Sequence, residues 1–169
     1  MFTFLINWMR HRSLHDMLRI AMINGFSCGY ETESIYFHNT SRMREFAVAD
    51  YKGQHIKSPY LSMGHYLDAM EIELPTPISP VCYGGNFVAK ATQIYPKKDI
   101  LNKMQGSLMR GDSIEEGHFV ERIWAGLLSK PLDSDQTYVL QNIPTIADPS
   151  DIGYVGRLVA LTNSAVIQY

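Results

Sequence analysis

GDSIEEGHFVERIWAGLL, residues 111–128, decides how this chain is read, because its apolar residues recur at the spacing of an amphipathic helix. Ser113 and Glu116 form an S-x-x-E pair. The serine hydroxyl is expected to cap the Glu116 amide while the glutamate reaches back to the Ser113 amide. With 3.6 residues per turn, Val120, Ile123, Trp124, Leu127 and Leu128 fall on one broad face expected to be buried. His118, Arg122 and Ala125 fall on the opposite side, with Glu121 at its border beside the tryptophan. Pro131 ends the run.

Upstream, Pro96 suits a first helical turn, and Ile100, Leu101, Met104 and Leu108 form an apolar stripe ending near Gly111. Val81-Cys82-Tyr83 reads as a strand and Gly84-Gly85 as a turn, followed by Asn86-Phe87-Val88-Ala89. Pro75, Pro77 and Pro80 make ELPTPISP an extended connector rather than a helix. Near the start, Ser13 is positioned to cap a helix that carries Asp16 in its first turn. Leu14, Met17, Leu18, Ala21 and Met22 lie on one face of it, and Asn24-Gly25 stops it. Ser34-Ile35-Tyr36-Phe37 and Phe46-Ala47-Val48 suggest short strands. The first twelve residues, MFTFLINWMRHR, read as a strand or buried lead-in. The tail from Asp133 reads as turn-rich, with a last apolar segment from Tyr154 to Leu161 as strand or short helix. The expectation is a single α/β domain over residues 1–169, with a small mixed sheet flanked by helices.

Composition narrows the function classes. A chain of 169 residues, 46% hydrophobic and 19% charged, can bury a core of its own. Its formal net charge of −2, with lysines and arginines scattered, lacks the basic field that steers proteins onto nucleic acid. The apolar run at the start is too short to span a bilayer and has its basic residues on the wrong side for a secretory signal. Cys28 and Cys82 have no metal-type spacing. Their separation permits a bridge without arguing for one, so the default is a reducing, cytoplasmic setting, with association at a membrane surface left open. The oligomeric state is left open as well.

Gly84-Gly85 lets backbone approach a ligand closely, and Asn86 places a donor and an acceptor beside it, although a plain hairpin turn would use the same residues. His11 and His15 are four apart, but a cap at Ser13 leaves His11 outside the helix and no third ligand is evident. No phosphate-cradling glycine loop, Cys-x-x-Cys pair, Gly-x-Ser-x-Gly elbow or His-Glu-x-x-His helix occurs.

Tyr83-Gly84-Gly85-Asn86-Phe87-Val88-Ala89, then Ile94 with Pro96, then Gly117-His118-Phe119-Val120-Glu121-Arg122-Ile123-Trp124, resemble the later part of a poorly characterised group of glycosyltransferase-like proteins. In that group an aromatic-glycine-x-phenylalanine strand precedes a proline-bearing helix, and a second helix carries a glutamate three residues before a tryptophan. The resemblance is clearest over residues 83–128. It implies part of a GT-A sandwich, its acceptor-side half, with the matching strand and helix bordering a sugar cleft. It also implies a nucleotide-sugar donor, a carbohydrate or lipid-linked acceptor, and Mn²⁺ or Mg²⁺ held by an amino-terminal nucleotide-binding half, which the chain is expected to lack. Asp133-Ser134-Asp135 has the letters of the metal motif but lies after the second helix, where a solvated loop is the better reading.

Glycosyl transfer requires a base for the acceptor hydroxyl and groups that hold the sugar and the leaving diphosphate. On the matching positions, Glu121, or else Glu116, is the candidate base, with His118 beside it. Tyr83, Gly84, Gly85, Asn86, Arg122 and Trp124 are the candidate substrate-binding residues, His118 and Arg122 for hydroxyls or phosphate, and Trp124 as a flat face for a pyranose. No residue is assigned to a metal. Structural roles compete throughout: Glu116 as cap, Glu121 and Arg122 as surface charges, Trp124 as core. The alternative function is a non-catalytic carbohydrate-binding or interaction module.

Overall fold

Ser13 starts the first helix as its sequence requires. Its Oγ accepts the Asp16 amide at 3.1 Å, and α1 runs over Leu14–Asn24. Gly25, at φ 86°, closes α1 with its N–H on the Ala21 carbonyl, a left-handed position that favours glycine. The computed structural model describes residues 12–29, 36–48, 57–74, 77–112, 114–142 and 154–157. The expected lead-in at residues 1–11 and the end of the last apolar segment, from residue 158, lie outside them.

Three-residue β1 (Phe26–Cys28) pairs antiparallel with β4 (Phe87–Ala89), Phe26 opposite Ala89 and Cys28 opposite Phe87. A second antiparallel sheet has the order β3-β2-β5, from β2 (Tyr36–Asn39), β3 (Ile78–Val81) and β5 (Tyr154–Arg157). The α/β class therefore stands, but the mixed sheet is replaced by two small antiparallel ones. β3 begins inside the proline-bearing segment expected to be only a connector. Among the described residues β3 is an edge strand, the place in a sheet where a proline such as Pro80 is tolerated. Phe46-Ala47-Val48 is irregular rather than a strand. Its backbone instead follows α2 (Thr40–Arg44), which Asn39 caps through Oδ1 to the Ser41 and Arg42 amides.

Helix α3 (Met63–Met70), started by Ser62, was not legible between the flanking prolines; it buries Met63, Tyr66, Leu67 and Met70. A short α4 (Ala91–Ile94) and a 3₁₀ turn at Tyr95–Lys97, containing Pro96, lead into α5 (Lys98–Leu108). Helix α6 (Glu115–Leu128) forms the centre of the packing, against β3, α3, α5 and the 3₁₀ turn at Tyr83–Gly85. The tail then forms α7 (Ser134–Asn142), with the Thr137 amide on the Asp133 carbonyl, where only turns were expected. Asp133-Ser134-Asp135 is thus a helix start, not a loop, and it is exposed.

One apolar cluster extends from Phe26 to Leu128. Tyr66 and Phe119 are fully buried with ring centroids 5.7 Å apart, and Tyr60 and Phe46 meet them edge-on at 5.2 and 6.1 Å. The Tyr66 hydroxyl, 2.9 Å from Ser107 Oγ, satisfies the only polar atom of that side chain. On α1, Met17 and Ala21 are buried towards β1 and β4, whereas Leu14, Leu18 and Met22 face outward. The apolar arc is wider than the surface that covers it.

Cys28 and Cys82 form a disulfide. It joins β1 to the residue before the Tyr83–Gly85 turn, and both cysteines are buried. The pairing of β1 with β4, which immediately follows that turn, brings the two cysteines together. With the cysteines bridged, the ground for expecting a reducing setting is gone, since such bonds persist where conditions are oxidising. Among the described residues no helix is long and apolar enough to cross a membrane.

Candidate functional site

Helix α6 divides its polar residues between three different surroundings. At its start Ile114, not Ser113, holds the capping position, and its side chain makes no capping hydrogen bond. Ser113 lies outside the described residues. The two glutamates of the first turn go elsewhere. Glu115 is buried and accepts the Val48 amide through Oε1 and the Ser58 amide through Oε2, both at 3.0 Å. Glu116 is fully buried and takes Arg110 Nη2 on both carboxylate oxygens, at 2.6 and 2.7 Å. It neither caps nor faces a cleft, so the roles expected of it as cap and as alternative base do not fit its position. Where Glu115 is satisfied by backbone amides, the Glu116 carboxylate is satisfied by the cation of Arg110.

On the next turn, Arg122 turns away from solvent. Its guanidinium lies 3.9 Å from the centre of the Phe46 ring and 5.5 Å from that of Tyr83, and it donates to the His118 carbonyl at 3.0 Å. Glu121 Oε2 is 3.5 Å from the same nitrogen. The Tyr83 hydroxyl shares a 3.0 Å hydrogen bond with His38 Nε2, on β2, a partner the sequence did not suggest. Arg122 and Tyr83, expected as ligand-binding residues, are thus packed into the wall behind the turn. The only available signal for His38 was its place directly after the expected strand Ser34-Ile35-Tyr36-Phe37, which does not distinguish a buried histidine from an exposed one.

Burial, and then the positive charge of Arg122, lower the His38 pKa from 6.5 to about 4. The unfolded chain takes up this proton near pH 6.5 and the folded protein only near pH 4. The stability contributed by the neutral ring is therefore complete above pH 6.5 and is lost as pH falls through that window. Unfolding by urea at pH 7 and at pH 4.5 should differ by up to about 3 kcal/mol from this group. In His38→Gln that part of the slope should disappear; an unchanged slope would show that another group causes it.

The remaining residues of this face meet in an open groove of about 510 Å³ lined by Gly85, Gly111, Asp112, Ile114, Gly117, His118, Glu121 and Trp124. Trp124 is half-buried rather than core, with one face tilted on Phe87 at 5.5 Å. Ala125, expected on the polar side, is buried. Asn86 is exposed and lies outside the lining. Of the residues singled out in the sequence, the fold brings together Gly85, His118, Glu121 and Trp124. Gly111, Asp112, Ile114 and Gly117 are the members that sequence reasoning missed.

Gly117 is informative because packing does not require it. A Cβ there would meet nothing within 4 Å. Glycine inside a helix costs roughly 0.8–1 kcal/mol relative to alanine. What the missing side chain leaves is open space in the groove. Gly85, at φ 66°, is likewise unobstructed, but its left-handed backbone calls for glycine in any case. Gly117→Ala is expected to raise stability by up to about 1 kcal/mol, read as a higher denaturation midpoint; a fall would show that the glycine serves the fold. Among the described residues no group of three or more His, Cys, Asp or Glu is arranged to hold a metal ion, and Asp133 and Asp135 sit apart from the groove. Set against family models, curated proteins and solved structures, the chain matches none, and the groove is read from its own geometry.

Proposed function

We propose that the groove binds a saccharide and that the chain is a glycosyltransferase-like protein acting on a carbohydrate or lipid-linked acceptor. The observation that carries this reading is the combination within one groove of a half-exposed indole, two carboxylates, an imidazole and a glycine floor that opens space. A sugar ring has apolar C–H faces that suit Trp124 and a rim of hydroxyl donors that suit Asp112 and Glu121. The resemblance over residues 83–128 to GT-A glycosyltransferases agrees with this location.

In the transferase reading, Glu121 takes the proton of an acceptor hydroxyl as its oxygen bonds to the anomeric carbon of a nucleotide-activated sugar. The bond from that carbon to the diphosphate oxygen breaks on the opposite side, away from Glu121 and outside the groove, and the diphosphate leaves with the electron pair. Arg122, 3.5 Å from Glu121, orients the carboxylate from behind. His118 is placed to hold acceptor hydroxyls.

The test is an assay with UDP- and GDP-sugars, Mn²⁺ or Mg²⁺, and an oligosaccharide acceptor. Glu121→Gln should lower turnover by about 100-fold or more, the range for loss of a general base, while leaving acceptor affinity within a few-fold. Trp124→Ala should weaken the acceptor without abolishing donor hydrolysis. Saccharide binding with no turnover by the wild-type protein would replace this reading with that of a non-catalytic binding module.

A further inference from the structure

The charge of the groove selects among saccharides. We infer that its ligand is a neutral saccharide and that a nucleoside diphosphate, or a sugar bearing carboxylates, is excluded from it; this rests on the saccharide reading above. Among the described residues neither lysine nor arginine lines the groove, and its two acidic residues are Asp112 and Glu121. The two cations nearest in sequence are both engaged inward. Arg110, next to Gly111, places Nη2 on Glu116 and on the Lys57 carbonyl. Arg122, next to Glu121, lies over Phe46, donates to the His118 carbonyl and is 3.5 Å from Glu121 Oε2, which leaves Asp112 as the acid of the groove with no cation of these two beside it.

A carboxylate only accepts hydrogen bonds, so it pairs with hydroxyl or amide donors and repels phosphate or carboxylate, which at neutral pH also only accept. The feature that would favour an anion is the amino terminus of α6. Its first turn carries Glu115, which accepts only backbone amides and keeps a charge that opposes an incoming anion there, while the charge of Glu116 is balanced by Arg110. The phosphate-binding roles expected of His118 and Arg122 therefore have no support in this groove, and a diphosphate donor would have to be held by another surface.

The experiment is titration of the intact protein at pH 7.5 and low salt with four probes: cellotetraose, N-acetylated chitotetraose, tetragalacturonate and UDP. At least one neutral tetrasaccharide is expected to bind about tenfold or more tightly than tetragalacturonate or UDP, since each carboxylate near contact contributes about fivefold in a water-like medium. That ratio should shrink in 0.5 M salt and in Asp112→Asn. Gly117→Met, which fills the groove, should abolish neutral binding, and Trp124→Ala should weaken it. Binding of tetragalacturonate or UDP as tightly as the neutral probes, lost in Gly117→Met, overturns the charge selection and leaves the saccharide reading standing. Failure of every saccharide to bind overturns the saccharide reading and this inference with it.

Discussion

Opening the Cys28–Cys82 bridge should cost this protein about 2–4 kcal/mol, one of the two largest effects expected of any single change. The bond closes a loop with a sequence separation of 54, and the chain-entropy relation for a loop of that length gives roughly 4 kcal/mol. For a chain of this size such a loss lowers the melting temperature by about 10 °C. Thermal unfolding with and without reductant should show it, and Cys28→Ala/Cys82→Ala should reproduce it without reductant and be insensitive to its addition. Thiol alkylation of the native protein should label neither cysteine; two labelled thiols in a protein of unchanged melting temperature would contradict the expectation. The bridge also bears on the groove. Cys82 precedes the Tyr83–Gly85 turn and β4 follows it, paired to β1 next to Cys28. The same amide ladder continues as Gly29 N–H on the Asn86 carbonyl. Reduction is therefore expected to loosen the edge that carries Gly85, weakening the saccharide binding proposed above by more than it perturbs α6.

Arg110→Met should be comparably damaging, about 3–5 kcal/mol, because it leaves the Glu116 carboxylate buried without its cation. Glu116 has no exposed side-chain area, whereas Arg110 is 36% exposed, so the two halves of the pair are not equivalent. Glu116→Gln leaves a guanidinium that water can reach and should cost about 1–2 kcal/mol. In Arg110→Met/Glu116→Met most of the loss should be recovered, since neither charge then remains in the core. Urea unfolding of the four proteins supplies the coupling energy directly. Equal losses in both single variants, adding in the double, would mean that the two side chains do not act as a pair.

Helix α1 was legible from end to end because its signals are local: a serine hydroxyl three residues from the amide it caps, and a glycine at a left-handed stop. The same holds for Val120, Ile123, Leu127 and Leu128 on α6, whose burial follows from period alone. The first turn of α6 was misread because S-x-x-E describes a cap only when the glutamate has nothing better to bind. Here Arg110 and the Val48 and Ser58 amides compete successfully for the two adjacent glutamates. Helix α3 was hidden by the prolines around it, and α7 by a short polar start followed by weak amphipathicity. In the groove, Glu121 and Trp124 stood out as an acid beside an aromatic, whereas Asp112 and Gly117 carry no pattern that marks them before the fold places them together.

By itself the sequence determined where α1 begins and ends, which stripe of α6 is buried, and that the chain mixes helices with short strands, because these depend on residues within a few positions of one another. Only the tertiary structure decided that Cys28 meets Cys82, that a fully buried Glu116 meets a partly exposed Arg110, and that Arg122 packs on Phe46 instead of lining the groove. The cysteine pairing and the Arg122 contact join residues tens of positions apart, through strand pairing and the docking of α6. The Arg110 contact is near in sequence, but its meaning comes from the burial of Glu116, which local spacing does not encode.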